Sequence, residues 1–504
     1  MNRRDFLQNA SLLSGSFLVS GLTAKAWSSP LLQSLETTDD KILVIVQLSG
    51  GNDGFNTLVP IEDSIYYNKR PKIAIPKEKS LKIASNLGFH PNMTGFEKLY
   101  KEGKLSIVQG VGYQNPDRSH FRSTDIWLSS SDANEFLSDG WAGRYLSLKY
   151  PNFPSESPPH PMAVQLGSSE SALLHSHAGS MSLVFESPNA FYQLVAGSTA
   201  DTDSPPNTLA GEELKFLKQI ASQSVQYRDV VKTAGDKGKN LGTYPQSRLG
   251  QQLAIVGKLI NGGLQSSVYL TILGGFDTHA NQADSHANLL KQLSEAVLAF
   301  EQDMEKMGYG ERVSLMTFSE FGRRLNENGS LGTDHGTAAP LFVFGNSVKG
   351  GIVGKNPDLG NLDVTGDVIF ENDYRQIYAS VLKDHLGVND SQMKDILGTT
   401  YSTLPIYKQK IVASNPELDF ELKQNYPNPF TDRTAIEYVL KKSSAVKLSL
   451  VDLTGKQMDV LEEKKQEAGG YQVLFDGSRY AAGMYLCVLE VDGKRSSKRM
   501  VLLK

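Results

Sequence analysis

Apolar positions along the chain fall into two kinds of run. Short, nearly unbroken stretches of strand formers recur at residues 41–48 (KILVIVQL), 105–111, 162–166, 267–273 (SVYLTIL), 313–318 and 341–344. A strand covered on both faces reads this way, without polar alternation. Between these stretches, apolar residues return at helical spacing: Leu249, Leu253, Val256 and Ile260, then Leu289, Leu293, Val297, Phe300 and Met304. Further helices are predicted from His90 through Leu99, around 373–384 and around 390–397. This alternation predicts an α/β fold with a doubly wound, mostly parallel sheet, whose ligands gather at the carboxyl ends of the strands.

The pattern changes near the end. Residues 401–423 read as a linker, separating an α/β domain at 40–400 from a segment at 424–504. There, short alternating strands at 435–439, 446–452, 471–475 and 483–491 are separated by turns at Thr454-Gly455, Gly469-Gly470 and Asp492-Gly493. Regularly spaced short strands of this kind predict a small C-terminal β-sandwich.

Composition narrows the class. The 504 residues suffice for two or three domains. With 39% apolar and 21% charged residues the chain is globular. A net charge of −4 leaves no basic footprint and argues against nucleic acid as a partner. The single cysteine, Cys487, excludes an intramolecular disulfide framework.

The first 26 residues differ from the rest. Arg3 and Arg4 precede Phe6 and Leu7, a weakly apolar run covers 10–22, and Ala24-Lys25-Ala26 follows. The run is too short to span a bilayer, so no transmembrane helix is expected in the mature protein. The segment resembles a twin-arginine export signal cleaved after Ala26.

Candidate chemistry sits where the predicted strands end. After the first strand, SGGNDGFNTLVP (49–60) combines turn-forming glycines with the oxygen donors Asn52, Asp53 and Asn56. After the second, residues 112–130 gather Asp117, Arg118, Ser119, His120, Arg122, Ser123, Thr124 and Asp125. A hydroxyl at a helix start beside arginine and histidine fits a nucleophile next to an anion clamp. Equally, Ser123 or Thr124 could simply cap a helix running through Trp127. Asp277 and His279 follow the strand at 267–273, and Glu320, Asp334 and His335 lie between the strands at 313–318 and 341–344. Carboxylates and imidazoles so placed suit hard or borderline cations, although a lone His335 could just hydrogen-bond loop backbone. His175 and His177 share one face of a strand and read as a surface pair.

Three segments, SGGNDGFNTLVP (49–60), GGFDTHANQ (274–282) and SEFGRRLNENGSLGTDHGTAAPLFVFG (319–345), together resemble the "domain of unknown function 1501" family over residues 40–400. That family looks like a branch of the alkaline phosphatase and sulfatase clan, which implies an alkaline-phosphatase-like sheet around a two-metal centre. The resemblance implies that Asp277 and His279 form the first ligand group and that Glu320 stands where the clan has aspartate. His335, ahead of Thr337 and Pro340-Leu341-Phe342, matches the final histidine; Asp334 joins it, and Asp53 matches a carboxylate after the first strand. Phe321 departs from the pattern, occupying the place of a second-site histidine. The implied cofactors are divalent cations, zinc foremost, with manganese, calcium or magnesium as alternatives. The implied activity is hydrolysis of phosphate or sulfate esters. No hydroxyl near 50–60 or 119–124 matches a nucleophile motif, so Ser123 and Thr124 are candidates from their neighbours alone. Arg118, Arg122 and Arg323 are candidate anion clamps because guanidinium matches such anions. Arg323 could equally pair with a structural carboxylate. The alternative is a catalytically degenerate surface binding or structural protein of the same fold.

The tail carries a second resemblance. NYPNPF (425–430), the alternating strands and the basic ending LEVDGKRSSKRMVLLK resemble a type IX secretion sorting domain, type A, of Bacteroidetes. This implies export through the periplasm by the twin-arginine and type IX machineries. The protein would end secreted or at the cell surface, with lipopolysaccharide anchoring at the outer membrane.

Overall fold

The computed structural model describes residues 41–198, 208–408, 419–428, 430–452 and 456–503. The twin-arginine segment at 1–26 lies outside the described residues. The chain forms two compact units, 1–408 and 409–504.

The first unit is built on a nine-stranded sheet. Its main strands are β1 (Ile42–Ser49), β2 (Leu105–Gly112), β3 (Ala163–Leu166), β4 (Ser182–Phe185), β5 (Val268–Gly274) and β6 (Val313–Phe318). A hairpin of β7 (Arg323–Glu327) and β8 (Thr333–His335) then precedes β9 (Ala339–Phe344) and β10 (Gly351–Val353). The sheet order is β10-β2-β9-β6-β1-β5-β3-β4, with Asn372–Asp373 added beside β2. β1 is central, parallel to β5 on one side and to β6 on the other.

Continuous apolarity in β1 has the expected cause. Val44, Val46 and Leu48 enter a core with Phe96 and Leu99 of α1 (Thr94–Lys101), and the intervening Leu43 and Ile45 point the other way. The first core also takes Leu253 and Val256 of α4 (Arg248–Asn261) and Leu293 and Val297 of α5 (Gln282–Lys306). The second takes Ile126 and Trp127 of α2 (His120–Ser129), Trp141 and Leu146 of α3 (Trp141–Lys149), and Tyr374 and Tyr378 of α6 (Tyr374–Ser380). Period-two geometry thus feeds helices on both faces from one strand. One strand runs against the rest: β9 is antiparallel to both β6 and β2. The chain after β6 folds into the β7–β8 hairpin and re-enters at the same edge, without crossing the sheet.

One buried carboxyl in α5 stands apart from any site. Glu301 is 5% exposed, its Oε1 has no hydrogen-bond partner, and burial pushes its pKa up to about 8.

The second unit has two antiparallel sheets around one core that includes Ile436, Leu448, Leu489 and Met500. Phe420–Leu422, Arg433–Leu440 and Gly469–Asp476 form one sheet. Gln457–Gln466, Ser444–Val451, Gly483–Val491 and Lys494–Leu502 form the other. Gln457–Gln466 (QMDVLEEKKQ) is a strand that apolar alternation does not announce. It pairs along Ser444–Val451 through backbone, with most side chains partly or fully exposed. Within NYPNPF, Tyr426 bridges to Ala435 and Asn425 Nδ2 donates to Thr434 Oγ1 at 2.9 Å.

Candidate metal centre

Four loops leave one edge of the sheet in the first unit. β1, β2, β5 and β6 share a direction, so their carboxyl ends share that edge, and β9 starts there. The loops carry Gly50 to Asp53, Arg118 to His120, Phe276 to His279, and Ser319 to Ala338.

Three imidazoles meet among them, each held from behind. His120 opens α2, and its Nδ1 lies 2.8 Å from Glu320 Oε1. His279 Nδ1 lies 3.2 Å from Asp334 Oδ1. His335, at the end of β8, has Nδ1 2.7 Å from the Arg118 carbonyl. A carbonyl or carboxylate oxygen accepts, so each Nδ1 carries the hydrogen and donates it. In a neutral ring the opposite nitrogen then presents a lone pair.

All three Nε2 atoms gather on one oxygen. Asp277 Oδ1 lies 3.4 Å from His120 Nε2, 3.1 Å from His279 Nε2 and 3.5 Å from His335 Nε2. His279 and His335 face each other, Nε2 to Nε2, at 2.9 Å. His120 Nε2 is buried and makes no hydrogen bond. Ligand atoms of His120, Asp277 and His335 all lie within 4.8 Å of one another. Burial, with Arg323 and the adjacent imidazoles, lowers the His335 pKa and so favours its neutral form. Lone pairs crowded beside a carboxylate repel unless a cation lies among them. Imidazoles backed by acceptors on the far nitrogen, together with a carboxylate, form the donor chemistry of a zinc-type centre.

Arg323 braces this arrangement from beneath. Buried in β7, it donates from Nε to Gly51 O at 2.7 Å and from Nη1 to Thr333 O at 2.9 Å. Nη2 reaches Gly50 O, Phe276 O and Asp277 Oδ1, the last at 2.7 Å. Partial burial works to raise the Asp277 pKa, but the hydrogen bond and charge of Arg323 outweigh it and hold the carboxyl below its usual range. Gly50 and Gly51 have positive φ, and a Cβ on Gly51 would lie 2.3 Å from the Phe321 ring. Only glycine fits there.

Asp277, His279, Asp334 and His335 of the expected ligands come together, with Asp334 one step behind His279. Glu320 stands behind His120 and also accepts from Gly50 N at 2.7 Å. Asp53 lies elsewhere, capping Gly54–Thr57. Its carboxylate is committed to Arg70, Gln282 Nε2 and the Phe55 amide. Arg70 is itself fully buried and donates to Asn56 and to the carbonyls of Arg324 and Leu325.

The expected nucleophile and clamps have other partners. Ser123 is inside α2, where its buried hydroxyl bonds to Glu320 O and to Tyr113 Oη. Ser119, not Ser123 or Thr124, occupies the N-cap position. Thr124 is half-buried on the next helical position. Arg118 holds Asp367 and Thr365. Arg122 donates to the carbonyls of Asp132, Ala133 and Glu135, and lies 3.9 Å from the Phe136 ring centroid. His175 is paired with Glu170 at 3.0 Å, outside this centre.

His120 is the donor that motif matching passes over. Its signal was its place in the loop after the strand at 105–111, farther from the strand end than Asp277 is from β5 and at the start of α2. Among the described residues, no helix is long and apolar enough to cross a membrane.

Residues 212–401 match the family described as "Protein of unknown function (DUF1501)", and residues 424–503 match "Secretion system C-terminal sorting domain". That tail indicates a secreted or cell-surface protein. No curated protein matches the chain. Among solved structures, a sulfatase from Pseudoalteromonas sp. is similar at 10% identity and TM-score 0.33, over 88% of this chain and 86% of that one. A protein in the alkaline phosphatase superfamily from Vibrio parahaemolyticus is similar at 10% identity and TM-score 0.30, over 80% and 76%. Latent PorU from Porphyromonas gingivalis is similar at 19% identity and TM-score 0.14, over 17% of this chain and 9% of that one. The chain thus spans about a tenth of the length of PorU.

Proposed function

We propose that this protein is a secreted or surface-attached metal-dependent hydrolase of phosphate or sulfate esters, in which water is the nucleophile. One observation carries the reading: three Nε2 atoms converge on Asp277 Oδ1, each imidazole with an acceptor at its Nδ1. His120, Asp277 and His335 would hold a divalent cation, with His279 completing the set. Nitrogen-rich donors favour zinc over calcium or magnesium, which take oxygen ligands. A bound cation would polarise the ester oxygen and lower the pKa of water.

The chain's own residues orient and restrict. Asp277 supplies negative charge, and Arg323 fixes the direction of its carboxylate. Glu320, Asp334 and the Arg118 carbonyl set the three tautomers. Because Arg118, Arg122 and Arg323 are engaged within the fold, the substrate's anionic group would face the cation rather than a guanidinium. The sequestered Ser123 hydroxyl leaves attack to water. The ester class rests on the likeness of the three sequence motifs to the alkaline phosphatase and sulfatase clan.

Those same engaged arginines, with Phe321 in place of a ligand, favour a second reading: a binding protein of this fold without turnover. Elemental analysis of the purified protein separates the two, followed by assays on aryl phosphate and aryl sulfate. Bound metal lost in Asp277→Ala and His335→Ala, with hydrolysis by the wild type, is the expected result. A folded protein that takes up no added cation and hydrolyses neither ester would overturn the hydrolase reading.

A further inference from the structure

We propose that Glu320 is not a metal ligand but the positioning residue of His120, and that the centre consequently takes one cation per chain. This rests on the metal-centre reading above.

The geometry around Glu320 leaves it facing away from the cluster. Its side chain is buried, and Oε1 accepts both Gly50 N at 2.7 Å and His120 Nδ1 at 2.8 Å. Ser319 Oγ donates to Oε2 at 3.3 Å. Glu320 is absent from the group of ligand atoms that lie within 4.8 Å of one another, whereas His120 belongs to it. A carboxylate accepting Nδ1–H holds the imidazole in the tautomer whose Nε2 is a lone pair, and makes that nitrogen a better donor. Glu320 therefore acts on the cation through His120.

Neither Phe321 nor Asp53 is placed to build a second position, and Asp334 is turned to His279 and Asn328. Phe321, adjoining Glu320, places its ring 4.9 Å from the His120 ring and 4.7 Å from the His335 ring, flush against Gly51. It supplies bulk where another donor would be needed. Asp53 is bound to Arg70, and Arg323 brings positive charge against the floor of the site. A second divalent cation would meet aromatic carbon and a guanidinium, which offer no ligand atoms.

The test uses the full chain, stripped with chelator and titrated with Zn²⁺ and with Co²⁺ as a spectroscopic probe. Wild type is expected to bind one equivalent. Glu320→Gln keeps an acceptor oxygen for His120 and should still bind one equivalent, with about 10–100-fold weaker affinity. Its Co²⁺ visible spectrum should match the wild type, because the atoms touching the ion are unchanged. Glu320→Leu should weaken binding further, and His120→Gln should alter the spectrum. Thermal melts of each metal-free variant establish that it folds. Two equivalents in wild type falling to one in Glu320→Gln would overturn the proposal while sparing the metal centre. Equal affinity of wild type and Glu320→Leu would overturn the positioning role. No uptake by wild type would overturn the metal-centre reading and this inference with it.

Discussion

Arg323 donates to Asp277 Oδ1 at 2.7 Å from a guanidinium that also reaches the carbonyls of Gly50, Gly51, Phe276 and Thr333 and, at 3.5 Å, His279 Nε2. One side chain therefore joins the loops after β1 and β5 to the hairpin after β6. Its planar fork serves these partners in fixed directions, which an ammonium cannot do.

Replacing Arg323 should accordingly unlock the loops. Arg323→Ala leaves four carbonyls without their donor and Asp277 without its counter-charge. A loss of several kcal/mol is expected, because each buried carbonyl left without its donor costs about 1–3 kcal/mol while the half-exposed Asp277 can turn to water. Arg323→Lys should recover only part of it. Denaturant midpoints of the metal-free proteins measure both.

Ser123 and Thr124 should prove dispensable for turnover. The Ser123 hydroxyl bonds to Glu320 O and Tyr113 Oη inside the protein. Ser123→Ala should cost about 1 kcal/mol of stability and leave kcat on aryl esters within twofold, about the scale of a lost neutral hydrogen bond acting on folding alone. A collapse of kcat in a well-folded Ser123→Ala or Thr124→Ala variant would return the nucleophile role to that hydroxyl.

Asp53→Asn should damage the fold and spare the cation count. It leaves the fully buried Arg70 facing a neutral amide, at a cost of about 3–5 kcal/mol. Metal stoichiometry, measured on protein that remains folded at low temperature, should equal that of wild type. A lost equivalent would make Asp53 a ligand after all.

Acid should weaken the first unit through His286. Burial is the main cause that pulls its pKa down to about 4, despite the nearby Asp53 charge, and Nε2 lies 2.9 Å from Asn52 Oδ1. The unfolded chain, with an ordinary histidine pKa of 6.5, binds the proton more tightly. Stability contributed by this group is therefore complete above pH 6.5 and is lost as pH falls through about 4. His286→Gln should flatten the stability profile across that window.

Glu301 should act in the opposite sense. Burial raises its folded pKa to about 8 from an ordinary 4.5, so its contribution is complete below 4.5 and is lost as pH rises through about 8. Glu301→Gln should match wild type near pH 4.5 and gain on it steadily toward pH 8. Thermal melts across that range would test it, and a constant difference would contradict the assignment.

The α/β fold was legible because its strands are buried on both faces, which writes runs such as KILVIVQL and VSLMTF directly into the chain. That Asp277, His279 and His335 would lie together was legible from strand ends and motif likeness. Glu320 and Asp53 lie outside the group of atoms that gathers on Asp277, for a physical reason. A sequence reveals that a carboxylate follows a strand, but whether it faces a cation or a neighbouring amide depends on long-range partners. Asp53 meets Arg70 and Gln282, and Glu320 meets Gly50 and His120 across 200 residues or more. The direction of β9 was hidden likewise, since only the β7–β8 pairing makes the chain turn back.

That turning back gathers much of the site into a single insert. Between β6 and β9 lie Glu320, Phe321, Arg323, Asp334 and His335, and the insert closes on itself through Gly322 N to Thr337 O and Gly336 N to Gly322 O. Both flanking strands stay paired in the sheet, β9 with a register shift between Ala339 and Leu341 where the insert rejoins it. This one cassette therefore carries both chemistry and scaffold: any exchange of it has to keep Arg323, which ties down the loops after β1 and β5, and the carbonyls of Arg324 and Leu325, which hold the buried Arg70.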